Sequence, residues 1–345
     1  MMKHTICITV LAAVLGLSLS VCSKQGSPDS GSSSQGTAPR TKARTFRLAD
    51  NHPDGYPTVL GDLKFAELVK ERSNGAILIE VYNNAVLGDE RTAIEQTQMG
   101  DIQFIRVGTN PLASINTKMN VLSMPFLYRD TEHAFKVLDG PIGEEFLTSM
   151  IDNNLLGLCW FDAGVRNFYN AKVEIKTPED MKGLKIRVQE TALMMDLVKA
   201  LGASPTPMAY EEIYAGIQNG IIDGAENNWP SYMTQSHNEV AKYYVVDGHT
   251  RAPEMILVNT QVWEKFSKDE QTLIKQAALE AAEYQRQEWL RQESDYEEQA
   301  LAKGAVVTKL TSEQHQLFQD AVAGIYAQPG YNSYAELIKQ IQETR

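Results

Sequence analysis

Residues 183–230, GLKIRVQETALMMDLVKALGASPTPMAYEEIYAGIQNGIIDGAENNWP, decide how the chain folds. In GLKIRVQ the apolar Leu184, Ile186 and Val188 alternate with Lys185, Arg187 and Gln189, the period of a half-buried strand. One face packs, and the other presents Arg187. A guanidinium is a rigid fork of donors that matches a carboxylate bidentately, so Arg187 is either an anion anchor or one residue of a solvated strand face. Residues 191–201 read as a helix closed by Gly202, and Pro205 and Pro207 then force an extended segment over 204–208. A second short helix, 210–218, stops at Asn219-Gly220. Residues 221–225 follow as a short buried strand that ends at Glu226-Asn227-Asn228. Strand, helix, strand, helix, strand predicts a parallel sheet with right-handed crossovers, and ligands settle at the carboxyl ends of such strands, where Arg187 and Asn227 lie.

Upstream, the same alternation recurs. A strand is expected at 46–49, an amphipathic helix at 58–73 stopped by Asn74-Gly75, a strand at 76–82, a helix at 90–99 and a strand at 102–107. The strand ends carry Asn51, His52 and Glu90, the candidate wall of a pocket. Arg106 stands inside the apolar run 102–107, where an unpaired charge is too costly. It therefore has a partner, either an acid such as Glu90 or an anionic or hydroxyl group of a ligand. Residues 119–127 read as core, followed by a helix capped by Asp130 and running to Leu138. A buried strand at 155–161 leads into 162–166, a crossover between domains that carries Arg166. Strands at 245–247 and 255–258 flank Pro253, the return crossover. Ser267 and Glu270 then form a capping box that opens a helix uninterrupted by Gly or Pro until Gly304. At 1.5 Å per residue it is roughly 50 Å long, enough to touch two domains. Its paired alanines (277, 278, 281, 282) suit close packing on a body better than the seam of a coiled-coil arm.

The chain has 345 residues, long enough for two domains, and 43% of them are hydrophobic and 22% charged, as in an ordinary globular protein. A net charge of −12 argues against nucleic acid or an anionic membrane as the main partner, though local arginines set the field inside a cleft. No phosphate-binding glycine loop, no HExxH and no paired-cysteine metal spacing occurs, and the six histidines form no constellation. No cofactor or metal is therefore expected, and an enzyme acting on a small acid is the weaker class. Residues 1–21, with Lys3 ahead of an apolar core from Ile6 to Leu19, read as an export signal. Cys22 follows directly and opens a tether, 22–44, rich in Ser and Gly over 23–36. A cysteine so placed resembles the lipidated first residue of a bacterial lipoprotein, although Val21 departs from the Gly, Ala or Ser that usually precedes it; the alternative is an ordinary cleaved signal with an incidental cysteine. Cys159 is the one cysteine left in the folded part, so no disulfide forms there, and it reads as a buried small hydrophobe.

The run GLKIRV, then GASPTPM with its Glu-Ile-Tyr helix, then IDGAEN, resembles the solute-binding subunits of tripartite ATP-independent periplasmic (TRAP) transporters. The resemblance extends from about Thr45 to the C-terminal helices. It implies an α/β, two-lobed periplasmic-binding-protein-like fold with hinge crossovers and a long helix bracing both lobes. Lobe I would comprise 45–163 plus 253–292, and lobe II 164–252 plus 293–345. It also implies capture of a small organic acid and delivery to the membrane subunits of a transporter that runs on an ion gradient. By the same likeness Arg187 fixes the ligand carboxylate and Arg166 supports it. Asn227 and Asn228 hydrogen-bond its oxygens, and Tyr210 flanks it. Gln189 joins them, while Glu90, His52, Asn51 and Arg106 reach in from the other lobe. Sialate-binding members carry an acid where this chain has Gly108. A ligand with one carboxylate and several hydroxyls, a hexuronate or related sugar acid, fits this set, with a C4-dicarboxylate as the alternative.

Overall fold

Two sheets organise residues 42–345, the part that the computed structural model describes; the expected signal segment, Cys22 and the tether up to residue 41 lie outside it. The first sheet has the order β2-β1-β3-β10-β4, built from β1 (Arg44–Ala49), β2 (Ile77–Tyr82), β3 (Phe104–Gly108), β4 (Leu155–Phe161) and β10 (Glu254–Asn259). β1 runs parallel to β2 and β3, whereas β10 returns antiparallel between β3 and β4. The second sheet has the order β11-β9-β5-β8-β6-β7, from β5 (Asn167–Asn170), β6 (Lys185–Val188), β7 (Ser204–Pro207), β8 (Gly224–Asn227), β9 (Tyr243–Val246) and β11 (Val306–Lys309). This is the α/β two-lobed architecture expected, and β6 pairs in parallel with both β7 and β8.

Local chemistry sets the element boundaries. Helix α1 (Pro57–Arg72) starts on a proline at its first position, and helix α2 (Glu90–Met99) is capped by Asp89, whose Oδ1 accepts the Thr92 N–H at 2.8 Å. β5 and β11 have no counterpart in the sequence reading, and β8 begins at Gly224, not Ile221. Ile221 is 56% exposed, and the Asp223 carboxylate accepts the Lys185 N–H and pairs with Lys172, which holds 221–223 in a turn. Gly224 can open β8 because a Cβ there would stand 2.1 Å from the Tyr169 carbonyl oxygen. The shift buries every residue of β8, including Glu226 and Asn227.

The chain crosses between the sheets at 162–166 and returns at 247–253. The two segments are stitched by the Arg166 N–H to Thr250 O bond (2.8 Å) and by the Arg251–Asp162 ion pair (3.0 Å). Helix Lys268–Ala302 braces both sides, opened by the Ser267/Glu270 capping box. Ala277, Ala278, Ala281 and Ala282 bury against a cluster containing Phe65 and Phe161. Gln285 grips both the N–H and the carbonyl of Asp162, each at 2.8 Å. Ala300, near the far end, packs with Trp229 and Tyr244 beside the second sheet. The C-terminal residues divide between the two sides. Helix Ser312–Val322 packs by the second sheet's helix Ala192–Ala200, whereas helix Ala335–Glu343 lies near the first sheet's helices, with the Ile341 carbonyl 2.9 Å from the His133 ring. Cys159 is buried and free.

Candidate functional site

A cavity of about 540 Å³ opens where strand ends of the two sheets face each other. Asn51, Glu90 and Pro111 line it from the first side, and Arg187, Gln189 and Tyr210 from the second. Arg187 is only 3% exposed, so it is not on a solvated strand face. Its Nε donates to the Met208 carbonyl at 2.9 Å, while Nη1 is buried with no partner among the described residues. No carboxylate lies within ion-pair distance of it there. Burial lowers its pKa, with Arg166 adding to the effect and Glu226 opposing it. A guanidinium withdrawn from water without a counter-charge is costly in isolation and is relieved by an anion.

Behind Arg187 stands a compensated set. Arg166, 4% exposed, gives Nε to Glu226 Oε2 at 2.5 Å and Nη2 to Glu226 Oε1 at 2.9 Å. His249, from the return crossover, sits 2.8 Å from Asp247 and 3.5 Å from Glu226. Burial alone would lower the His249 pKa, but Asp247 and Glu226 raise it to about 9, so the ring is cationic. Three cations thus face two carboxylates, and the surplus positive charge is at Arg187. Glu226 escaped the sequence reading, although an acid inside a fully buried strand demands a cation and Arg166 was already singled out. Of the two asparagines, Asn227 is buried with its Oδ1 accepting the Asn228 N–H, and its amide nitrogen has no partner among the described residues. Asn228 is a correction. Its side chain caps helix Trp229–Thr234 through the Ser231 N–H, accepts from Tyr56 and donates to the Ala163 carbonyl, so it is engaged in structure.

Arg106 is also engaged internally. Its Nε and Nη2 bind Asp50, Nη2 reaches Asn51 Oδ1 at 2.6 Å, and Nη1 meets Glu254 at 3.0 Å; Glu90, the partner expected from sequence, is farther at 3.6 Å. Every nitrogen has an acceptor, so Arg106 organises the wall and is not a free donor. Asp50 and Glu254 were not foreseen, because residues 56 and 148 positions from Arg106 carry no local mark of the pairing. Glu90, the first residue of α2, stands at the cavity, its pKa raised by burial. His52 is buried, not on a surface loop. It stacks on Tyr56 at 3.9 Å, holds Thr58 at 2.9 Å and meets Tyr210 edge-on at 5.3 Å. Burial, then Arg106, pushes its pKa down to about 4, so the ring is neutral. The Tyr210 hydroxyl is buried without a partner among the described residues. Gln189 Oε1 accepts from Asn110 Nδ2 at 2.7 Å, a bond that spans the cleft.

Comparison with known proteins accords with this geometry. The sequence model described as "Bacterial extracellular solute-binding protein, family 7" matches residues 48–332. A "Solute-binding protein" of Chromohalobacter salexigens is 37% identical over 288 residues, covering 84% of this chain and 81% of that one. Among solved structures, a TRAP periplasmic solute-binding protein of Roseobacter denitrificans with bound β-D-glucuronate superposes with a TM-score of 0.84 at 34% identity, covering 88% of this chain and all of that one. Another, from a Bradyrhizobium species in complex with galacturonate, gives 0.83 at 38% identity, covering 87% of this chain and all of the other.

Proposed function

The chain belongs to the bacterial extracellular solute-binding protein family 7, and on that premise we propose that it captures a hexuronate and delivers it to a TRAP-type membrane transporter. The observation that carries the ligand class is the unpartnered Nη1 of Arg187, buried in a cavity large enough for a small solute. One surplus positive charge suits one carboxylate. Arg187 grips the carboxylate in this reading, with Arg166 held behind it by Glu226. The free amide of Asn227, the Tyr210 hydroxyl, Gln189, Asn51, Glu90 and the neutral His52 are left to address ring hydroxyls, since each offers a donor or acceptor. The glucuronate and galacturonate found in the similar structures support this assignment.

Contacts from both sides make binding and closure one equilibrium, because a ligand that touches both lobes stabilises the closed form. The protein binds without turnover. Residues 1–21 direct export and Cys22 carries a lipid anchor, so wild type would partition into a detergent phase and Cys22→Ser would not. Ligand class is tested by thermal shift over glucuronate, galacturonate, succinate and malate at millimolar concentration. A ligand at a thousand times its dissociation constant adds about 4 kcal/mol, a rise of several degrees for a chain of this size. Uronates are expected to produce that rise. A rise with succinate or malate and none with either uronate would transfer the assignment to dicarboxylates.

A further inference from the structure

The same cavity is electrostatically lopsided. Five carboxylates and two guanidiniums line it. Of the two arginines, Arg91 already pairs with Glu95 at 3.3 Å, which leaves Arg187 as the one lining cation without an acid partner among the described residues. Glu90 enters from the first lobe at the start of α2, and Glu211 enters from the second in the turn Tyr210–Glu212. They come from opposite sides of the cleft, and each lies within electrostatic reach of the other's surroundings. Burial raises the pKa of both acids, and the positive charge of Arg187 acts on both in the opposite sense. Arg106, 3.6 Å from Glu90, offsets that acid only in part, because it is shared with Asp50 and Glu254.

We propose that Glu90 and Glu211 form a two-sided acidic gate that sets specificity, admitting acids whose far end carries hydroxyls and refusing those whose far end carries a second carboxylate. The inference rests on the uronate reading of this cavity and adds the group that discriminates. Hydroxyls are donors and a carboxylate is acceptor-only, so a diol satisfies both acids at once. A second ligand carboxylate brings a like charge against two, in a space partly shielded from water, where such juxtaposition is strongly unfavourable. Specificity of this kind arises from the repulsive element as much as from the attractive one. Arg187 selects for one acid group, and the gate limits the ligand to one.

The test compares galacturonate with galactarate, the same carbon skeleton with a carboxylate at both ends, by calorimetry on wild type, Glu211→Gln and Glu90→Gln. Thermal melts of each variant verify folding. Wild type is expected to prefer galacturonate by at least roughly a hundredfold, the size of a several-kilocalorie charge clash. Each Gln variant is expected to narrow that preference by about tenfold or more, with galactarate itself binding more tightly than to wild type. Wild type binding galactarate within tenfold of galacturonate, or variants weakening both ligands equally, would overturn the gate. Failure of the uronate reading looks different: neither galacturonate nor glucuronate binds, and gluconate, pyruvate and succinate then replace galacturonate and galactarate. Preference for a monocarboxylate that Glu211→Gln erases sustains the gate, whereas tight binding of succinate removes it.

Discussion

At the scale of single residues, the decisive contrast is among three buried arginines. Arg106 and Arg166 are paired with acids, and among the described residues Arg187 has only the Met208 carbonyl. The same side chain thus does different work according to whether a carboxylate of the protein reaches it. Truncating Arg187 removes the anion anchor without stranding an internal acid, so Arg187→Ala is expected to fold and to lose on the order of 2–5 kcal/mol of uronate binding, roughly thirty- to several-thousand-fold. Arg187→Lys should also bind poorly, because an ammonium cannot reproduce the planar fork. Calorimetry decides it, and unchanged affinity in Arg187→Ala would remove the residue from the site. Arg166→Ala is a poorer probe, since it leaves Glu226 buried without its main counter-charge.

At the scale of elements, the return crossover 247–253 does more than carry the chain back. His249 ties Asp247 to Glu226, and its ring stacks on Phe168 of β5 at 4.1 Å. The pKa of about 9 in the folded chain lies above the ordinary value of 6.5. A raised pKa means that the folded state holds the proton more tightly, so the stabilisation is full below about pH 6.5 and is lost as pH rises through about 9. The gap corresponds to about 3 kcal/mol as an order of magnitude. His249→Gln is therefore expected to be less stable than wild type at pH 6, with the difference shrinking toward pH 10, as urea unfolding across that range would show. A pH-independent difference would mean that the ring acts by packing on Phe168 alone.

At the scale of the molecule, bonds that span the cleft accompany the cavity. Asn110 to Gln189 is one, and Tyr56 to Asn228 and Ser231 is another. Such bonds exist only when the lobes are together, so they favour the closed form with or without ligand. Asn110→Ala is expected to weaken uronate binding by up to about tenfold, a single hydrogen bond's worth, mainly through faster release. Small-angle scattering should show the unliganded variant more expanded than wild type and uronate contracting both. Equal dimensions and equal release rates would assign the Asn110–Gln189 bond no part in closure.

How much of this was legible in the sequence depended on the range of the interaction. Periodicity and capping are local, so α2 at Glu90–Met99, β4 at Leu155–Phe161, the helix capped by Asp130 and the brace opened by Ser267 and Glu270 were readable from neighbours a few residues apart. The start of β8 was not, because Asp223 is drawn into the turn by Lys185, 38 positions away. The candidate site divides in the same way. By itself the sequence determined that Arg106, Arg166 and Arg187 would lie at strands or strand ends of an α/β fold, and that Arg106 must have a partner, since burial of a charge forbids isolation. Only the tertiary structure decided which arginines the protein itself neutralises. Asp50, Glu254 and Glu226 reach Arg106 and Arg166 through chain separations of 56 to 148 residues, and Arg187 is left over because no acid among the described residues folds against it. Pairing over such distances is a property of where the strands end in space, which hydropathy and spacing along the chain do not encode.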